Sequence, residues 1–331
     1  MGGSRGPGWG RAGRTALRAL RIDDGHLEVI ERPTPQPAGE QVLVEVSGSG
    51  VNRADLLQKM GRYPAPKGWP KDVPGLEHAG TVAATGDGVR SLRVGDRVFG
   101  IVGGGGHASH VLTTESLCAR IPEGLDSERA GGIPEAYITA HDALFERARL
   151  RPGERVLIHG VGSGVGIAAM QLASAAGATT VGTSRTPTKL ERAGGLGLDE
   201  GVLAGDDMAD QIGEVDVVID LIGGNYLGVD VEVCRIAGRI VIVGLVAGAS
   251  ARLDMGAVLS KRLQVTGTSL RLRAEHAKGA AVAAFGHEVV PLLERGVLDP
   301  VVDRVVGLEE AEDAYAAMAS NETFGRIILA P

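Results

Sequence analysis

The chain is short of cysteine, aromatics and positive charge, and each shortage closes a route. Only two cysteines, Cys118 and Cys234, occur in 331 residues. They are too far apart for a CxxC metal knuckle and too few for a disulfide framework, which fits a reducing compartment. Aromatic residues make up 3% of the chain, so the cores must be built from Val, Ile, Leu and Ala. The formal net charge is -7. With no long basic run, nothing points to nucleic acid or an anionic membrane as a partner. No apolar run approaches the ~18 residues of a membrane span. The start lacks the apolar stretch of a secretion signal, and Gly6 stands where acylation after Met1-Gly2 wants Ser or Thr. The expectation is a cytoplasmic protein of about two domains.

Glycine is abundant, at 51 residues. Its most informative use follows the apolar run Val156-Leu157-Ile158, where Gly160, Gly162, Gly164 and Gly166 alternate before a helical stretch that Gly177 stops. Strand, glycine turn and helix together cradle a dinucleotide pyrophosphate, because glycine lets the backbone approach and the helix start offers unpaired N–H groups. The literal GxGxxG is missing, since Val165 and Ile167 fall where its last glycine belongs. Gly164, Gly166 and Ala169 meet the looser GxGxxA form.

NAD-binding turns place an acid about 20 residues past the glycines. Here Thr183-Ser184-Arg185-Thr186-Pro187-Thr188-Lys189 contains none. Hydroxyls beside a guanidinium and an ammonium form an anion pocket, which favours NADPH over NADH. The alternative is that Arg185 and Lys189 are solvated charges at a helix start.

The organisation is α/β. Residues 1–14 read as a flexible tail, and residues 16–31 as a hairpin turning at Asp24-Gly25. Short strands and frequent turns make residues 15–136 a mostly-β, barrel-like domain. A helix over 139–148 then opens an α/β alternation across residues 137–271. Its six strands, near 156–159, 180–183, 201–203, 215–220, 239–244 and 263–268, predict a Rossmann doubly wound parallel sheet. Residues 272–331, with one long helix over 275–295, return to the first domain.

Asn52-Arg53-Ala54-Asp55-Leu56, Pro74-Gly75-Leu76-Glu77, Ile133-Pro134-Glu135-Ala136, Ser163-Gly164-Val165-Gly166 and Gly325-Arg326-Ile327 together resemble the zinc-independent, zeta-crystallin-like quinone oxidoreductases. These belong to the medium-chain dehydrogenase/reductase superfamily, and the subgroup induced by the p53 tumour suppressor is most similar. The resemblance implies a GroES-like catalytic domain ahead of the Rossmann domain. It also implies hydride transfer from NADPH to a quinone in a cleft between the domains, and a homodimer paired through late sheet strands. In the zinc-dependent branch, Cys, His and Cys ligands stand where this chain has Asn52, Leu76 and Glu135, and leucine cannot coordinate zinc. No metal is expected.

The resemblance assigns Asn52, Tyr63 and Ser163 to catalysis. The cofactor candidates are Asn52, Thr139, Gly162, Ser163, Gly164, Val165, Gly166, Ser184, Arg185, Lys189, Gly244, Leu245, Thr268, Ser269, Leu270 and Gly325; Ser184, Arg185 and Lys189 come from the anion pocket above, and Gly244, Leu245, Thr268, Ser269 and Leu270 from their place at predicted strand ends. On residue type alone Asn52 is equally a helix cap, Tyr63 a half-buried surface residue, and Glu135 a first-turn residue favoured by the helix dipole. His107 and His110 read as polar loop residues, with the mouth of a substrate site as the alternative. Two other functions fit the same residues: NADPH-dependent reduction of an enone or enoyl thioester, and a weakly catalytic NADPH-binding structural or regulatory protein.

Overall fold

The computed structural model describes residues 12–331. Residues 1–11 of the expected tail lie outside the described residues, and the first strand already begins at Ala12. In chain order the strands are β1 (Ala12–Asp23), β2 (His26–Pro35), β3 (Gln41–Gly50), β4 (Glu77–Thr85), β5 (Arg97–Ile101), β6 (His110–Thr114), β7 (Cys118–Arg120), β8 (Arg155–His159), β9 (Thr179–Ser184), β10 (Glu200–Leu203), β11 (Val215–Asp220), β12 (Cys234–Ile242), β13 (Gln264–Gly267), β14 (Val302–Gly307) and β15 (Arg326–Ala330).

They fall into two compact units. The first takes the described residues up to Glu135, with Leu270–Arg295 and Val302–Pro331; the second takes Ala136–Ser269 and Gly296–Val301. The sequence pattern alone assigns residues 296–301 to the returning segment. They group instead with the second unit because Gln171 Nε2 donates to the Asp299 carbonyl (2.9 Å) and Gln171 Oε1 accepts from the Asp299 N–H (3.0 Å).

The first unit is the GroES-like domain. β1 and β2 form the expected hairpin, where Asp24 (φ 45°) and Gly25 (φ 78°) both take the left-handed conformation that matches strand twist. Its main sheet runs β14-β15-β3-β4-β5-β7, with β6 also paired to β3. Val42, Val44, Val82, Val98 and Leu117 fill the space inside it.

The second unit is the Rossmann domain. Its six strands lie in the order β10-β9-β8-β11-β12-β13 and every neighbouring pair is parallel. A sheet covered on both faces needs strands apolar on both faces, and Val156, Leu157, Ile158, Val217, Val218 and Ile219 are all fully buried. The strand order reverses beside β8, which is where such a sheet opens a crevice at its C-terminal edge.

Two helices differ from expectation. The one expected over 139–148 starts at Pro134, whose fixed φ suits a first helical residue, and widens into a π turn over Asp142–Arg147. The long helix expected over 275–295 is divided by a π turn over Phe285–Val289. Pro291 has no N–H to give and its ring crowds the preceding turn, so the ladder slips there. Among the described residues, no helix is long and apolar enough to cross a membrane.

Candidate active site

In the second unit the chain leaves β8 at His159 and turns through Gly160 (φ 69°). Ser163 then caps the helix Gly164–Ala175, accepting from the Gly166 N–H at 3.1 Å and donating to the Gly160 carbonyl at 2.8 Å. The hydroxyl expected to be catalytic is therefore committed to the turn. A Cβ on Gly166 would stand 2.5 Å from the Gly160 carbonyl oxygen, so the helix packs against the turn only with glycine there. No acidic residue occupies the first helical turn. Gly162, Gly164 and Val165 thus surround a helix start whose leading N–H groups have no partner within the helix, as an anion requires.

β9 runs beside β8 and brings the second group close. Ser184 Oγ accepts from the Thr186 N–H at 3.1 Å, and Thr186 precedes the helix Pro187–Gly194 that carries Lys189. Arg185 is exposed, and its charge opposes the burial that raises the Tyr226 phenol. Beneath this edge His159 is fully buried, with Nδ1 2.8 Å from Thr183 Oγ1 and Nε2 2.9 Å from Asp230 Oδ1. Burial pushes the Asp230 carboxyl up to about 6, against the hydrogen bond from His159. At the end of β11, Asp220 Oδ1 accepts from the N–H groups of Ile222 (2.7 Å) and Gly223 (2.8 Å), which makes it a turn-former.

The remaining cofactor candidates divide between the units. Gly244 follows β12, and a Cβ there would meet the Leu221 carbonyl oxygen at 2.3 Å; Leu245 beside it is exposed. Thr268 donates its N–H to the Ile242 carbonyl (3.1 Å) and its hydroxyl to Asp142 Oδ2 (2.5 Å), while Ser269 is exposed. Thr139 lies half-buried within the helix Pro134–His141. Leu270, buried, and Gly325 (φ 92°) belong to the first unit.

In the first unit a charged network fills the interior. Asn52 Nδ2 donates to Glu77 Oε1 (2.9 Å) and the Gly50 carbonyl (3.1 Å), and Asn52 Oδ1 accepts from Arg326 Nη1 (3.0 Å). Arg326 Nη2 also pairs with Glu77 Oε1, and the Glu135 N–H donates to Glu77 Oε2 at 2.8 Å. Burial raises the Glu77 carboxyl, and these three donors oppose the rise. Asp55 joins the Asn52 N–H (2.8 Å) to the Gly75 N–H (3.0 Å). Both amide protons of Asn52 are thus in use, so the residue holds charges in place and has no proton to spare for a nicotinamide.

Two further expectations are corrected. His107 is fully buried, 3.3 Å from the Gly50 carbonyl and 3.0 Å from the Tyr315 hydroxyl, where polar-loop exposure was expected. Glu135 is more than a dipole-stabilised surface acid, since burial pushes its carboxyl up to about 8. His110 is half-buried against Ser109. Tyr63 is half-buried, with its ring 4.9 Å from the Arg271 guanidinium.

These residues do not fit zinc. Leu76 is a buried aliphatic side chain, the Asn52 amide is occupied, and no three His, Cys, Asp or Glu among the described residues gather closely enough to hold a metal ion. Sequence reasoning missed Arg326, Arg271 and Lys278 as parts of the site. A signal existed for Arg326, a lone cation in the apolar stretch 324–330, since such a charge must find a partner or a use; Arg271 and Lys278 lie among other charged residues and give none.

Comparison with known proteins agrees on the fold. The alcohol dehydrogenase GroES-like domain matches residues 38–146, and the zinc-binding dehydrogenase family matches residues 164–284. The quinone oxidoreductase of Rattus norvegicus is 30% identical over 337 residues, which cover 96% of this chain and 98% of that one. Polyketide synthase GfsB of Streptomyces halstedii is 34% identical over 87% of this chain, and a phenolphthiocerol/phthiocerol polyketide synthase of Mycobacterium tuberculosis is 34% identical over 96%. The chain spans 5% and 15% of the lengths of those two synthases.

Among solved structures, a quinone oxidoreductase of Pseudomonas syringae has TM-score 0.84 at 26% identity, covering 96% of this chain and 100% of that one. The CurK enoyl reductase has TM-score 0.84 at 25% identity, covering 95% and 99%. A Rossmann unit with this glycine turn implies a nicotinamide cofactor. With both family domains in order and a full-length relative at 30% identity, the chain belongs to the medium-chain dehydrogenase/reductase superfamily, among the homologues of its quinone oxidoreductases.

Proposed function

We propose that the protein is an NADPH-dependent, zinc-independent quinone oxidoreductase. The observation that carries this reading is the donor set at Asn52, Leu76 and Glu135. The Asn52 amide is committed to its neighbours and Leu76 is aliphatic, so the set offers a carboxyl proton from Glu135 but no ligands for a Lewis-acid metal, and an electron-poor quinone asks less electrostatic help than a simple ketone. The end-to-end match to a quinone oxidoreductase supports the same acceptor. When bound, NADPH supplies the hydride.

The residues after β9 support the choice of NADPH: Ser184, Arg185 and Lys189 would hold its 2′-phosphate, and residues 162–166 its pyrophosphate. Gly244, Leu245, Thr268 and Ser269, at the C-terminal edge of the parallel sheet, would border the nicotinamide. Tyr63, held by Arg271, would give the quinone an aromatic surface. A reducing cytoplasm suits Cys118 and Cys234, free thiols that burial pushes up to about 12.

A second acceptor class is favoured by the polyketide synthase relatives and the CurK enoyl reductase. Aerobic NADPH oxidation with 1,2-naphthoquinone, run beside an enoyl thioester, separates the two. Turnover with the quinone and little with the thioester is the expected result, and the reverse would replace our reading. Cofactor binding with neither turnover would leave a structural or regulatory nucleotide-binding protein.

We also propose a homodimer. β13 forms one edge of the six-stranded sheet with all four residues exposed, and Met255 and Leu259 of the helix Met255–Lys261 are 77% and 81% exposed. An open edge beside exposed apolar side chains invites a second copy of the chain. Light scattering should give twice the 34.1 kDa chain mass; a monomer at micromolar concentration would rule the dimer out.

A further inference from the structure

In the first unit, two cations from one segment clamp the loop that carries Tyr63 and Trp69. Arg271 and Lys278 are each only 4% exposed. Each nitrogen of the Arg271 guanidinium has a partner: Nε donates to the Gly103 carbonyl (3.0 Å), Nη1 to the Tyr63 carbonyl (3.0 Å), and Nη2 to Gln58 Oε1. Lys278 differs. Its ammonium stands 5.7 Å from the centre of the Trp69 ring, and among the described residues it makes no hydrogen bond or ion pair. Burying an ammonium without an acceptor is costly unless a nearby charge answers it.

The nearby acid with no fixed partner is Glu135. Its N–H is given to Glu77 Oε2, but its carboxyl group makes no hydrogen bond or ion pair among the described residues. Two carboxyl groups here share one guanidinium. Arg326, Asn52 and the Glu135 N–H all bind Glu77 and oppose the rise that burial causes there, while the Glu135 carboxyl, with no such donors, is pushed up to about 8.

We propose that Glu135 is the proton donor of the reduction and that Lys278 is a positioning cation that holds its carboxylate once the proton has left. The proposal rests on the reductase reading above. NADPH contributes a hydride, two electrons and one proton, and becomes NADP⁺. The hydride adds to the quinone, and the oxygen left anionic takes one proton from the Glu135 carboxylic acid, so the quinone leaves as the hydroquinone and Glu135 as its carboxylate. The Glu135 carboxylate then faces the Lys278 ammonium until water returns a proton.

Burial and the Glu77 charge hold the Glu135 carboxyl at about 8, with Asp55 adding to them and Arg326 and Lys278 opposing. Those four charges come from β4, β15, the helix Arg53–Lys59 and the helix Glu275–Ala284, and Arg271, just ahead of that last helix, is coupled to Glu135 as well. Burial and Arg271 in turn lower Lys278, and Glu135 and Glu275 raise it. At neutral pH the acid form dominates, and activity that needs it falls as pH rises through about 8.

The test is a pH profile of kcat with 1,2-naphthoquinone for the wild type, Glu135→Gln, Glu135→Asp and Lys278→Met, with NADPH affinity measured in parallel. Glu135→Gln should lower kcat on the order of 100-fold and abolish the alkaline limb, while leaving NADPH affinity within about twofold. Glu135→Asp should restore part of the rate. Lys278→Met should keep the limb but move it to higher pH, because the lost cation was holding the acid down.

Infrared spectra at pH 7 should show a protonated carboxyl band in the wild type that Glu135→Gln lacks. Wild-type kcat and an unchanged limb in Glu135→Gln, or no such band, would overturn the assignment. If the wild type ignores the quinone, the same series with an enone decides the role of Glu135 separately from the acceptor.

Discussion

Each unit buries a carboxylate beneath its site, and the two carboxylates are handled differently. In the first unit, Glu77 meets the guanidinium of Arg326, with Asn52 and the Glu135 N–H completing its shell. In the second, Asp230 meets the imidazole of His159 through Oδ1, while Oδ2 has no partner. Arginine keeps its charge across the physiological range and histidine does not. Glu77, raised by burial, is thus held by three donors in a closed network, whereas Asp230, raised to about 6 by burial, keeps one oxygen without a partner. A buried charge becomes a fixed part of the architecture only when its counter-charge cannot leave.

The sharpest way to break this contrast is Arg326→Met. It strands Glu77, whose side chain is fully buried, and stability measured by urea unfolding should fall by about 3–5 kcal/mol. Adding Glu77→Gln should recover part of that loss. A single-variant cost below about 1 kcal/mol, the range of an exposed pair, would mean the network does not act as a closed unit.

A smaller effect separates the buried charges from the exposed one. Arg185→Asp should weaken NADPH by on the order of 10- to 150-fold, worth about 1.5–3 kcal/mol, and change NADH little. Asp220→Asn should disturb its turn and weaken both cofactors alike. Calorimetry in which the wild type binds NADH as tightly as NADPH would remove the phosphate pocket from the comparison.

The smallest effect concerns Asp230. Its folded value of about 6 lies above the ordinary 3.8, so the stabilisation linked to it is full below the ordinary value and is lost as pH rises through about 6. Wild-type stability should therefore decline between pH 4 and 6 by about 1 kcal/mol or more, and Asp230→Asn should lack that decline. Parallel curves would place the titrating charge elsewhere.

The second unit is the more legible in sequence, and the reason is physical. A glycine turn, parallel strands and the residues after β9 work through backbone geometry and local order, so contiguous stretches expose them. Even there, the motif marks Ser163 as catalytic although its hydroxyl closes the turn, a distinction that only hydrogen-bond geometry makes. The first unit works through side chains that meet only after folding. Asn52, Glu77, Glu135, Lys278 and Arg326 come from five separate segments, and nothing local to Asn52 announces that both its amide protons are taken. The π turns are hidden for a similar reason, since a helix pattern does not say where its ladder will slip.

Glu77 and Arg326 stand 249 residues apart in the chain. As the protein is synthesised, Glu77 emerges long before its guanidinium exists. The second unit, Ala136–Ser269 with Gly296–Val301, is translated entirely within that interval and can fold first. The first unit cannot close its interior until β15 arrives beside β3, a contact whose loop-closure cost falls on the last step. Until then the carboxylate must stay in water. The ion pair thus doubles as a checkpoint on the arrival of β15: a chain released short of Arg326 would carry an uncompensated buried acid, a reason to remain open.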